Sequence, residues 1–139
     1  MALAMENFYI NHFAVFVSAV MSLVIGAAWY SPVLFARSWQ AAAGISDEQM
    51  AAANPLKIFG ITFLLALVMA YNLAFFLGGP DTTWQWGLAA GLLTGVGWVA
   101  AMFTVVSLFE HRSLKYIAIN AGYMIVYFAV IGTIIGAWR

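Results

Sequence analysis

Uncharged polar side chains are the residues of this sequence that could do chemistry, because they lie within long apolar stretches. The set is Ser18, Ser22, Thr62, Asn72, Thr94, Thr104, Asn120 and Thr133. An Asn side chain in hydrocarbon needs a hydrogen-bond partner, since desolvation without one is costly. One interpretation is hydrogen bonding between helices, which contributes about 0.6 kcal/mol on average in membrane proteins. The functional alternative is a narrow polar path for a solute, with Asn72 and Asn120 as its two rings.

Sequence motifs for catalysis, metals and cofactors do not appear. His12 and His111 fall on opposite sides of the predicted topology, and His12 with Asp81 would give a metal fewer ligands than the three or four of zinc sites. The sequence has no phosphate-binding Gly-rich loop with its lysine and no nucleophile elbow. The apolar stretches hold no acidic side chain for a proton relay. We therefore expect no enzyme activity, no cofactor, no metal and no proton-coupled pumping.

The composition indicates that these polar residues lie in a membrane. Hydrophobic residues make up 65% of the 139 residues and charged residues 7%, against about 45–50% and about 25% in soluble domains. A small soluble domain could not hide so much apolar surface, because it buries only about two-thirds of what the unfolded chain exposes. The net charge of zero and the absence of cysteine give no sign of nucleic-acid binding or disulfides. The predicted partner is the lipid bilayer.

Four apolar runs are long enough to cross the bilayer, which requires about 20 residues. They cover about Asn11–Tyr30, Pro55–Leu77, Trp84–Phe109 and Leu114–Trp138, with no charged side chain in any interior. The segment before the first run has Glu6 as its one charged side chain, so it lacks the basic region of a secretory signal. We predict an all-α fold, in which residues 1–139 form a single domain, a polytopic membrane protein with a four-transmembrane-helix bundle.

The ends of the runs carry capping patterns. Asn54 before Pro55 is a typical start of the second helix. Thr82 and Gln85 have the capping-box spacing for the third helix. In the loop between the first two helices, Ser46 starts another capping box. We predict two short interfacial helices in this loop, with a break at Gly44 between them.

Basic residues set the predicted orientation. Arg37 and Lys57 border the first loop, and Arg112 and Lys115 border the third, whereas the opposite side carries Arg139 alone. By the positive-inside rule, the first and third loops are cytoplasmic and both termini lie on the non-cytoplasmic side.

Small residues recur at four-residue spacing on each predicted helix. The third helix has Gly87, Gly91 and Gly95, which share one face. Such faces let membrane helices approach closely. They either build the core of the bundle or, in the sharper hypothesis, the Gly87 face contacts another protomer. Because every helix has such a face, we expect a homo-oligomer or a subunit of a larger membrane complex.

One short segment resembles a known family. Gly26-Ala27-Ala28-Trp29-Tyr30-Ser31-Pro32, followed by Trp39 and Gly44 and preceded by Asn11, is similar to an uncharacterised bacterial membrane family, domain of unknown function 1761. The resemblance implies a four-helix membrane fold in the bacterial inner membrane but no mechanism. By itself, the segment is either a structural elbow at the membrane surface or a binding notch formed by Trp29, Tyr30, Trp39 and Asn120.

Two functional hypotheses follow from the sequence. The first is a non-enzymatic structural or accessory subunit that packs through its small-residue faces. The second is a channel or uncoupled carrier for a small neutral or lipid-like solute, since the interior is sparsely polar and carries no charge. A membrane enzyme ranks third, because it would need a catalytic dyad that the sequence does not display.

Overall fold

A computed structural model describes residues 7–139, and this part of the chain is helical without strands. The helices are α1 His12–Trp29, α2 Ala36–Ala43, α3 Asp47–Ala52, α4 Pro55–Phe76, α5 Trp84–Phe109 and α6 Leu114–Ala137. Four of them, α1, α4, α5 and α6, are long and apolar enough to cross a membrane. The predicted all-α class with four spanning helices is confirmed. The prediction that rests on Glu6 lies outside the described residues.

Side-chain caps begin the spanning helices. The Asn11 carboxamide oxygen accepts hydrogen bonds from the backbone N–H groups of Phe13 and Ala14, at 3.0 and 3.2 Å. Asn54 caps α4, as predicted. The prediction for α5 was wrong by one residue: Thr83, not Thr82, accepts from the backbone of the first turn. The Thr82 N–H instead closes a turn onto the Gly79 carbonyl.

The loop after α1 contains the two predicted short helices. Ser46 and Gln49 form a complete capping box at the start of α3. Gly44 ends α2 with φ of 70°, a left-handed conformation that glycine adopts without strain. The residues 30–54 and 110–113 together form the end of the bundle that we name the loop side. The opposite end, with residues 7–11, 77–83 and 138–139, is named the terminal side.

The four spanning helices do not pack equally. Helix α1 contacts both α4 and α6, and α5 packs mainly on α6. Helices α4 and α5 follow each other in the chain but touch at few places. The buried residues of α4 include Ala66, Ala70 and Ala74, and the main neighbour of this helix is α1. The bundle is therefore closed between three pairs of helices and open between α4 and α5.

The glycine face of α5 packs against α6 of the same chain. A Cβ atom on Gly87 would lie 2.1 Å from the Gly132 carbonyl oxygen, and one on Gly91 would lie 2.1 Å from the Phe128 carbonyl oxygen. At Gly95 the corresponding distance to the Phe128 Cβ is 3.1 Å. No side chain fits at the first two positions. The glycine face therefore packs against α6 within the bundle. The sharper hypothesis, contact with another protomer, would need this face to be free, but α6 of the same chain covers it.

Candidate functional site

A groove lies between α4 and α5 in the described part of the bundle. Its volume is about 650 Å³, within the range of about 300–1,000 Å³ for small-molecule sites. It is lined by Val68, Met69, Asn72, Leu73 and Phe76 of α4, by Trp86, Ala90, Leu93, Thr94, Gly97 and Trp98 of α5, and by Phe128 of α6. Leu73, Ala90 and Phe128 are buried and form the floor, whereas most of the wall residues are exposed.

The groove exists because its two walls, α4 and α5, pack against different helices. The glycines of α5 bring that helix onto α6, and the alanines of α4 bring that helix onto α1. Small residues allow such close approach of membrane helices. The space left between the walls is floored by larger side chains, among them Phe128. The same pattern of small residues therefore closes the bundle and opens the groove.

A π-helical segment forms part of the α5 wall. It covers Gly95–Ala100 in the middle of the helix. π-Helical segments are rare in proteins, and many of those that occur lie at functional sites. Two of its residues, Gly97 and Trp98, line the groove. A Cβ atom on Gly97 would meet no atom within 4 Å, so this glycine leaves open space in the wall.

An aromatic pair joins the two walls. The rings of Phe76 and Trp98 lie edge to face, with centroids 6.4 Å apart. Their exposed fractions are 68% and 69%. Side chains lean toward the N-terminus of their own helix, so in antiparallel helices these two lean toward each other. The pair bridges the groove at its open side.

Asn72 is a polar groove residue with unused hydrogen-bonding capacity. Its amide nitrogen donates to the Val68 carbonyl at 2.8 Å, which uses one of its two donors. Among the described residues, no group donates to Asn72 Oδ1. The Thr94 hydroxyl, by contrast, donates to the Ala90 carbonyl at 2.8 Å. None of the groove residues carries a charge, so the site can hydrogen-bond a ligand but cannot neutralise an ion.

The predicted notch residues come together on the loop side, and their polar groups are paired. The Trp29 indole N–H donates to the Ile119 carbonyl at 2.9 Å. The Tyr30 hydroxyl donates to Asn120 Oδ1 at 2.6 Å, and the Trp39 ring packs edge-on against Tyr30 at 5.5 Å. Burial raises the pKa of the Tyr30 phenol, which keeps the donor protonated. The segment forms a filled elbow between α1, α2 and α6.

The structure does not bring Asn72 and Asn120 to one path. Asn120 faces Tyr30 at the loop-side end of α6, and its amide nitrogen donates to the Tyr116 carbonyl at 2.9 Å. Asn72 lies on another helix, in the groove toward the terminal side. Both polar groups of Asn120 have partners within the protein, whereas Asn72 keeps an unused acceptor.

Comparison with family models matches this chain to a known family. A family model described as Protein of unknown function (DUF1761) matches residues 13–136. The chain belongs to this family. The match includes all or nearly all of each of the four spanning helices, and the predicted family is confirmed. No curated protein and no solved structure matches the chain.

Two features of this DUF1761 protein were missed from its sequence. Tyr123 and Tyr127 lie inside the bundle, where the Tyr123 hydroxyl donates to the Ser22 carbonyl at 3.4 Å. The Tyr127 hydroxyl and Ser18 Oγ are buried without a well-formed hydrogen bond. The four-residue spacing of the two tyrosines far from either helix end was the available signal. Trp98 was missed as well, although a Trp in mid-span departs from the interfacial belt.

The histidines of this DUF1761 protein form no metal site in the described part of the chain. The His12 Nδ1 atom lies 2.9 Å from the Tyr71 hydroxyl, and this pair joins α1 to α4 on the terminal side. The residues 7–139 contain no cluster of three or more His, Asp or Glu side chains that could hold a metal.

Proposed function

We propose that this DUF1761 protein is a non-enzymatic membrane protein that binds an uncharged, lipid-like solute in the groove between α4 and α5, as an uncoupled carrier does. The groove itself is the observation that carries the proposal. Its walls are apolar, uncharged and exposed where they would meet lipid. A solute dissolved in the bilayer could therefore enter the groove directly from the lipid, without passing through water.

The length of the groove favours a carrier over a channel. The α5 wall extends from Trp86 to Trp98, which corresponds to about 18 Å along a helix. One leaflet contributes roughly half of the 30 Å hydrocarbon core. The groove thus matches one leaflet, on the terminal side, and does not continue along the remainder of α5. A single lipid chain fits such a site better than a stream of ions or water.

The charges of the chain support a location and an orientation. Arg37 and Arg112 lie on the loop side, Lys57 and Lys115 lie in the adjoining first turns of α4 and α6, and Arg139 lies on the terminal side. We propose the bacterial inner membrane, with the loop side in the cytoplasm and both termini outside. In this orientation, the groove opens to the outer leaflet.

Filling the groove tests the proposal. Gly97 has free space around its Cβ position, and so has Gly60, a glycine of α4 outside the groove. We would therefore compare the Gly97→Phe and Gly60→Phe variants in nanodiscs with a lipid that carries a photoreactive diazirine in its chain. Labelled peptides should come from the groove walls, and Gly97→Phe should remove most of that labelling while Gly60→Phe retains it. Equal labelling of all exposed helix faces would overturn the proposal.

A structural or accessory subunit is the second candidate, and a second surface favours it. A shallow groove of about 470 Å³ along α6 contains Ala129, Thr133 and Ala137 at four-residue spacing. Another helix, from a second copy or from a different subunit, could approach closely here. Since the chain has no cysteine, an Ala129→Cys variant gives a clean test. Disulfide-linked homodimers of Ala129→Cys in native membranes would support a homo-oligomer. The control is Leu64→Cys, on the exposed face of α4. If Ala129→Cys forms no more dimer than Leu64→Cys, the result counts against a homo-oligomer.

A further inference from the structure

The groove also indicates which class of lipid it binds, an inference that rests on the proposed function. We infer that Asn72 selects a neutral lipid with a hydroxyl group, such as a fatty alcohol or a partially acylated glycerol. The hydroxyl would lie against the Asn72 carboxamide, and the apolar chain would run along the groove toward the middle of the bundle.

The unused hydrogen-bonding capacity of Asn72 matches a hydroxyl. A carboxamide has two N–H donors and an oxygen acceptor, and Asn72 uses one donor on the Val68 carbonyl. One donor and the Oδ1 acceptor remain for a ligand. A hydroxyl both donates and accepts, so it fits both, whereas an ester carbonyl can only accept. The site therefore distinguishes an alcohol from an ester of the same chain.

The uncharged lining around Asn72 disfavours a charged head group. Asn72 lies one helical turn before Phe76, the last residue of α4, or about 6 Å inside the helix end. No Lys, Arg or His side chain lines the groove. A carboxylate or phosphate drawn to this depth would be desolvated without a counter-charge, which is strongly unfavourable. The phospholipids that surround the protein therefore compete poorly for the polar part of the site.

The aromatic pair separates the polar part of the groove from the bilayer. Phe76 is one turn from Asn72 on the same face of α4, and its ring meets that of Trp98 from the opposite wall. Met69 and Leu93 also line the groove and offer apolar contacts to a chain. The hydroxyl of the lipid would thus be enclosed by Asn72 and two rings, with its chain beyond them.

Three probes with one chain test this selectivity. They are a diazirine-bearing fatty alcohol, the corresponding fatty acid and its methyl ester, each added to the protein in phosphatidylcholine nanodiscs at neutral pH. In the wild type, the alcohol should label the groove peptides about fivefold more than the other two, the ratio expected for one net hydrogen bond of about 1 kcal/mol. Asn72→Leu should reduce labelling by the alcohol to the level of the methyl ester.

The controls separate the two proposals. Thr62→Val removes another α4 side chain that bonds the carbonyl four residues before it, but outside the groove, and should leave all three signals unchanged. Labelling of the groove peptides by the methyl ester that persists in Asn72→Leu shows that the groove is intact. Equal labelling of the wild-type groove by all probes, or a preference for the acid, overturns the alcohol selectivity while the proposed function stands. No groove labelling by any probe overturns the proposed function itself.

Discussion

The Cα atom of Gly91 packs so tightly on α6 that a Cβ atom there would stand 2.1 Å from the Phe128 carbonyl oxygen. The side chain of the same Phe128 lies on the floor of the groove. Phe128 thus takes part both in the close approach of α5 to α6 and in the floor of the groove. The contact ties the stability of the bundle to the shape of its candidate site.

The first prediction follows from this contact. Gly91→Ala forces α5 away from α6, because backbone atoms rather than a flexible side chain occupy the Cβ position. We expect a loss of roughly 1–3 kcal/mol in the free energy of unfolding, typical of overpacking, measured by titration with SDS in mixed micelles. Gly97→Ala is the matched control, since its Cβ position is open, and should be neutral or slightly stabilising. Equal losses in the two variants would contradict the packing described here.

A second prediction concerns the elbow on the loop side. The Tyr30 hydroxyl donates to Asn120 Oδ1 at 2.6 Å. In a double-mutant cycle with Tyr30→Phe and Asn120→Leu, we expect a coupling energy of about 0.6 kcal/mol, the average for hydrogen bonds between membrane helices, and at most about 1.7 kcal/mol. The free energy of unfolding in mixed micelles is again the measurement. Additive single effects would show that this hydrogen bond does not hold α6 to the elbow.

The same phenol predicts a dependence on alkaline pH. Burial raises the pKa of Tyr30 in the folded protein, whereas in the unfolded chain it is about 10. Above pH 10, the unfolded state therefore releases a proton that the folded state keeps, and stability falls as pH rises. Tyr30→Phe should show a shallower loss between pH 10 and 11.5 than the wild type. A loss in Tyr30→Phe as steep as that of the wild type would contradict this origin.

The sequence predicted the number and class of the spanning helices, and the caps of α3 and α4, because these follow from local properties. Runs without charge, Asn54 before Pro55 and the Ser46 capping box each depend on residues close together in the chain. The residues of the elbow lie together in the structure, and most of them come from one short segment. The sequence did not show which helix packs on the Gly87 face. Every spanning helix has a small-residue face, and the spacing of these residues does not indicate which two faces pack together.

The groove lay beyond the sequence for the same reason. Asn72 was recognised as a polar residue in a span, but whether it faces a helix, a path or lipid depends on the order of helices around the bundle. Its pairing with Asn120 failed because the two residues belong to different helix interfaces. The π-helical segment around Gly97 has no distinctive local pattern. These features depend on tertiary packing, which cannot be inferred from the local patterns of a single sequence.

The last prediction concerns the ring pair at the open side of the groove. Phe76 and Trp98 join the two walls, so a bound lipid would have to displace them in order to leave. Trp98→Ala should accelerate dissociation of the photoreactive fatty alcohol by about 2- to 10-fold, the equivalent of the 0.5–1.5 kcal/mol typical of an aromatic pair. The rate is measured by a chase with unlabelled fatty alcohol and irradiation at increasing times. Trp84→Ala removes a half-exposed Trp of α5 that does not line the groove and should leave the rate unchanged. An unchanged rate in Trp98→Ala, or the same acceleration in Trp84→Ala, would show that the ring pair does not retain the lipid.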